Sequence, residues 1–176
     1  MAKTYNTLGT VAPGDVLRAN SGTAAYNGVI TNVNNYRVPP MCSVTLTTTA
    51  DYTQDTNIVF TSENYDTDGM FAPSSADVTI KTAGIYLVTF TGRATSTSSA
   101  NFQPVIRLAG ANDPGEEVQQ LFGAAVTDAR FSVSAVRSLA VNDVINARIQ
   151  WSGTITLQGG TTQSPTLTAT WLGQSS

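Results

Sequence analysis

Acidic residues are the side chains of this sequence that could carry acid–base or metal chemistry. They gather in two places: Asp51, Asp55, Asp66 and Asp68, then Asp113, Glu116 and Glu117. Oxygen ligands of this kind suit calcium, but no calcium-loop consensus orders them, and they read as solvated loop acids. A pair of carboxylates can hydrolyse a glycosidic bond, yet nothing singles out two of them. Histidine is absent. That removes the commonest general base and the commonest metal ligand together. The lone cysteine, Cys42, alternates with Val44 and Leu46. It reads as a buried apolar thiol rather than a nucleophile, and no internal disulfide is possible. Gly159-Gly160 lacks the Lys-Ser/Thr of a phosphate loop and reads as a hairpin turn. The expectation is a protein with no catalytic, cofactor-binding or metal-binding residues, and not an enzyme.

The elements around these residues support that expectation. The chain has 176 residues, 41% of them hydrophobic, which suffices for one packed domain and a short extension. Charged residues are only 12%, about half the globular norm. Small neutral polar residues take their place, as suits an all-β protein or one whose surface is covered by neighbours. The net charge is −3, and Lys3 and Lys81 are the only lysines. Nucleic-acid binding needs clustered positive charge, so no nucleic-acid partner is expected. No apolar run reaches membrane-spanning length, and Met1-Ala2-Lys3-Thr4-Tyr5-Asn6 does not open a signal peptide. Membrane insertion and export are therefore not expected.

Val38-Pro39-Pro40 divides the sequence into segments 1–37 and 38–176, because the proline pair forbids helix continuation. In the first segment Pro13-Gly14-Asp15 can turn and cap a helix. Val16, Ala19, Thr23, Tyr26, Ile30 and Val33 then recur at alternating spacings of three and four. That is a heptad stripe. Gly22, Gly28 and the many asparagines oppose a stable isolated helix. Two readings stay open: a short trimerising stalk or anchor, and an amphipathic helix or loose arm belonging to the domain itself.

The second segment reads as short strands separated by Gly, Pro, Asn and Asp, the pattern of a sandwich or jelly roll. Strands are expected over Met41–Thr49, Asn57–Ser62, around Met70-Phe71, Asp77–Lys81, Gly84–Ala94, Phe102–Ala109, Glu117–Phe122, Ala129–Leu139, Asp143–Ser152 and Pro165–Leu172. Along Gly84–Ala94, Ile85, Leu87 and Thr89 fall on one face and Tyr86, Val88 and Phe90 on the other. This two-sided apolarity predicts a strand buried on both faces. Gly69 and Gly84 are expected to serve backbone turns.

Four elements carry a family resemblance. They are Asn64-Tyr65-Asp66 with Gly69 and Phe71; Thr82-Ala83-Gly84-Ile85-Tyr86-Leu87-Val88-Thr89-Phe90; Leu139-Ala140-Val141-Asn142-Asp143-Val144-Ile145; and Thr168-Ala169-Thr170-Trp171-Leu172-Gly173. In this order they resemble the globular head of complement component C1q and its tumour-necrosis-factor (TNF) relatives. The sequence departs from the family at Asn142, where a glycine is usual, and in lacking the proline before Gly84. The resemblance implies an antiparallel TNF/C1q-like jelly roll with a short N-terminal helical or extended anchor. It also implies a homotrimer that binds without catalysing. Tyr86, Phe90 and Trp171 are then candidates for core or for trimer contact, and both roles remain open.

Residues 8–36, LGTVAPGDVLRANSGTAAYNGVITNVNNY, resemble the N-terminal part of many tailed-bacteriophage structural proteins. Val16, Ala19, Tyr26, Ile30 and Val33 become the candidate stalk or anchor stripe. The implied function is a virion structural protein assembled in the bacterial cytoplasm. It would serve as capsid decoration, head fibre or tail-associated protein, stabilising the shell or attaching to the host. Its expected partners are itself, the major capsid or tail proteins, and a host-surface glycan. The alternative is a bacterial carbohydrate-binding or adhesive C1q-like module.

Overall fold

The computed structural model describes residues 38–53, 56–96, 102–109, 116–119, 128–151, 154–160 and 162–175. The stripe Val16, Ala19, Tyr26, Ile30 and Val33 lies outside the described residues. The strands are β1 (Met41–Thr45), β2 (Ala50–Thr53), β3 (Thr56–Asn57), β4 (Ser62–Asp66), β5 (Asp77–Thr79) and β6 (Gly84–Thr95). They continue with β7 (Phe102–Ala109), β8 (Glu116–Gln119), β9 (Asp128–Leu139), β10 (Val144–Trp151), β11 (Thr154–Leu157) and β12 (Thr166–Gly173).

Every pairing is antiparallel, and the strands form two sheets. The first is organised on β6. All twelve residues of β6 pair with β9 along one edge, from Gly84↔Leu139 to Thr95↔Asp128. Along its other edge β12 covers Ile85–Thr91 and β11 covers Ala94–Thr95. β1 and β4 extend the sheet beyond β12, and β2 extends it beyond β11. The second sheet runs β3-β10-β7-β8, with β5 also on β10.

Alternation along these strands explains the core. Tyr86, Val88 and Phe90 on β6, Phe131 and Val133 on β9, and Leu167, Ala169 and Trp171 on β12 all face the second sheet. Phe102 and Ile106 on β7 and Ile145, Ala147 and Ile149 on β10 face them in return. Phe131 joins the two sheets: its ring lies 4.8 Å from Phe90 at 58° and 5.3 Å from Phe102 at 64°. These are the tilted arrangements that aromatic quadrupoles favour.

Several boundaries differ from the sequence reading. The first expected strand stops at Thr45, and β2 follows as a separate strand. Of the strand expected over Asn57–Ser62 only its start is extended in β3, while Ser62 opens β4. Met70-Phe71 contributes an isolated bridge, Phe71↔Val78. Gly159-Gly160 makes no hairpin turn: the flanking strands β11 and β12 do not pair with each other but succeed one another along β6. Gly69 does turn, with φ 67°. Gly84 instead starts β6 at a close approach, where a Cβ would run into the Trp171 indole. β6 is not buried on both faces: Ile85, Leu87 and Thr89 remain partly exposed.

Candidate functional site

Among the described residues, Asp51, Asp66, Asp143 and Cys42 are held in structural roles, while Asp55 and Asp113 lie outside the described residues. Asp66 ends β4 and folds the following loop. Its Oδ1 accepts from the Asp68 amide at 3.1 Å and its Oδ2 from the Phe71 amide at 2.9 Å, which draws Phe71 into the core. Asp51 accepts from the Thr156 hydroxyl across the β2–β11 pair at 2.6 Å. Asp143 accepts from the Ala140 amide at 2.8 Å and closes the β9–β10 turn. Asn142 stands in that turn at φ 75°, the left-handed geometry that asparagine tolerates. Among the described residues, no group of three or more Cys, Asp and Glu side chains could hold a metal ion. Cys42 is 1% exposed, and burial, aided by the Asp66 and Glu63 charges, pushes its thiol up to about 12. A thiol so placed stays protonated and unreactive.

Tyr86, Phe90 and Trp171 lie at 0%, 0% and 5% exposure between the sheets. The Tyr86 hydroxyl donates to the Thr82 carbonyl at 2.6 Å. Burial, then the Asp68 charge, pushes its ionisation well above the ordinary tyrosine range. The Trp171 indole N–H reaches the Ala83 carbonyl at 3.4 Å. These polar handles fix the two rings at the start of β6, where they serve the core of a single chain.

The surface that could bind something is the outer face of the first sheet. Its rows follow from the register. Ser134, Thr89, Thr168 and Ser43 lie side by side across β9, β6, β12 and β1, and Ser132, Thr91, Thr166 and Thr45 form the next row. The hydroxyls bond one another: Thr89–Ser134 at 3.2 Å, Thr168–Ser43 at 3.4 Å and Thr166–Thr45 at 3.3 Å. Toward the start of β6 the rows turn apolar. Val136, Leu87 and Met41 flank Thr170, and Ile85 lies two residues along from Leu87. Val136 is 51% exposed, and Leu172, set beside this strip by a bulge in β12, is 52% exposed. At the opposite end Arg93 donates to both oxygens of Asp128, at 2.8 and 2.9 Å. That bond raises the Arg93 ionisation and lowers that of Asp128.

Two sheets ordered in this way resemble solved structures of one kind. The globular domain of zebrafish complement 1qA protein matches with a TM-score of 0.54 at 16% identity, over 76% of this chain and 96% of that one. The Eiger TNF of S. frugiperda matches at 0.61 and 14% identity, over 78% and 96%. Murine APRIL at pH 5.0 matches at 0.57 and 14%, over 76% and 98%. The fold is a TNF/C1q-like jelly roll. No family model and no curated protein sequence matches the chain. Identities this low carry the fold alone, and a jelly roll hosts many roles. The sequence reading did not find the outer face as a surface. Its signal was the second apolar set on β6, Ile85 and Leu87.

Proposed function

We propose that the chain is a non-enzymatic assembly and binding protein, a homotrimer that forms when the outer face of the first sheet meets neighbouring copies. The observation that carries this is the apolar strip of Ile85, Leu87, Val136 and Leu172 beside the hydroxyl row of Ser134, Thr89, Thr168 and Ser43. The strip residues are aliphatic, with the Arg137 guanidinium at their border on the Val136 carbonyl at 2.9 Å, and covering them removes apolar area from water at about 25 cal/mol per Å². The hydroxyls of the adjoining row, paired as Thr89–Ser134 and Thr168–Ser43, can be covered with little cost in unmet hydrogen bonds. Closed threefold symmetry would present three copies of each loop at one end.

We further propose that this trimer is a structural protein of a tailed-phage virion, with residues 1–37 as its anchor and residues 38–176 as its head. The Gly14-Asp15-Val16-Leu17-Arg18-Ala19 element supports this reading, through its likeness to the opening of such proteins. On a capsid, a trimer at a local threefold position would clamp neighbouring subunits and stabilise the shell by mass action. Facing the host, three identical sites would add weak glycan contacts through avidity.

Light scattering coupled to size exclusion tests the assembly. The full chain and a chain starting at Val38 should both give three times the protomer mass, which for the full chain is 18.5 kDa. Leu172→Asp with Val136→Asp should reduce both to protomers with unchanged circular dichroism. A monomeric full chain at micromolar concentration would overturn the self-trimerising reading. Mass spectrometry of purified phage particles tests the virion role: the chain should be present, in a copy number divisible by three.

A further inference from the structure

At the end of the outer face away from the apolar strip lies a pocket of about 330 Å³. Three strands and one loop build it: Thr91 from β6, Arg130 from β9, Thr166 from β12, and Thr162, Gln163 and Ser164 from the loop before β12. The register explains the convergence. Thr91 pairs with Ser132 on one side and Thr166 on the other, and Arg130 follows two residues from Ser132 on the same face. Gly92 and Phe131 complete the wall.

The chemistry of this lining is specific. Every side chain named from the strands and loop carries a hydroxyl, an amide or a guanidinium, and among the described residues no carboxylate lines the pocket. The nearby Asp128 is engaged at both oxygens by Arg93. Among the described residues nothing hydrogen-bonds the Arg130 guanidinium, although its charge is felt at Asp128. A planar guanidinium without a competing partner matches a carboxylate bidentately. Hydroxyls and an amide donate and accept in turn, as a polyhydroxylated ligand requires. The volume lies at the small end of ligand sites, the scale of a single sugar ring. Thr91 stands four residues beyond Leu87, roughly 13 Å along the strand, so copies seated on the apolar strip leave the pocket mouth open.

We propose that this pocket binds a carboxylate-bearing sugar at the end of a glycan. Arg130 holds the carboxylate, Thr91 and Gln163 face the ring hydroxyls, and Thr166, whose own proton is directed to the Ser164 carbonyl at 3.0 Å, accepts from one of them. The inference deepens the host-attachment reading and rests on it.

The test titrates the full chain with glucuronic acid, glucose, acetate and inorganic phosphate, followed by saturation-transfer NMR and calorimetry. Glucuronic acid should bind, and the other three should each bind at least about tenfold more weakly. Arg130→Gln should lose at least about tenfold in affinity, as expected for a lost charge-assisted pair. Gln163→Ala should lose a few-fold. Arg130 is exposed, so its replacement leaves the fold intact. The proposal is overturned if glucuronic acid does not bind, if Arg130→Gln binds it equally, or if acetate or phosphate binds as tightly. Light scattering on the same sample separates the two readings. A trimer that binds no sugar removes the pocket alone, whereas a monomer that binds glucuronic acid removes the assembly alone and keeps the pocket.

Discussion

The two faces of β6 differ more than their residues do. Tyr86, Val88 and Phe90 are fully buried against the second sheet, while Ile85 and Leu87, as apolar as they are, keep contact with water. One face is completed by the chain itself, and the other is the one the proposed trimer would cover. Apolarity in a strand therefore records that a surface is to be covered, not which molecule covers it.

The sharpest way to break this contrast is to empty the inner face. Phe90→Ala removes the ring packed at a tilt against Phe131 and should cost about 3–5 kcal/mol in denaturant unfolding of the head. Equal loss from Leu87→Ser would abolish the distinction. Alkaline pH probes the same inner face. The Cys42 thiol has an ordinary value of 9.0, raised in the fold to about 12. A raised value means stability that is complete below pH 9 and falls as the pH climbs toward 12. The loss should reach up to roughly 4 kcal/mol, and Cys42→Ala should flatten the slope across that window. Were the two slopes identical, the thiol would not be held as the core implies.

Outer-face changes should separate assembly from folding. Leu87→Ser should lower the unfolding free energy of a dissociated head by less than about 1 kcal/mol, yet halve or abolish the trimer mass peak in light scattering. The smallest effect is expected at the far end of that face. Asp128→Asn breaks an exposed ion pair with Arg93 and should leave the denaturant midpoint unchanged at physiological salt.

What the sequence disclosed follows the same division. The ranges of β6 and β9 were legible almost to the residue, because one face of each alternates against a dry core. Asn142 was legible as a turn position through the family's Gly-Asp turn, and its φ of 75° fits the glycine it replaces. β4 was not, since SENYD is a mostly exposed edge strand with no apolar alternation to signal it. β2 and β11 are short and find their order only through pairing with each other and with β6. The pocket was invisible for a related reason. Thr91, Arg130 and Thr166 meet through the register of three distant strands, and no local spacing encodes that meeting. The cofactor-free expectation rested on residue types, whereas the roles of Asp51, Asp66 and Asp143 as backbone and side-chain acceptors needed coordinates.

One pairing governs how this molecule can be made. β1, which opens the described fold, hydrogen-bonds along its whole length to β12, its last strand. On the ribosome, residues 41–45 must wait with an unsatisfied edge until residues 166–170 have emerged. Pairings this distant in sequence fold slowly, and waiting edges invite intermolecular pairing. The head therefore closes only after nearly all of it has been synthesised, and any subunit partner must be recruited by completed heads.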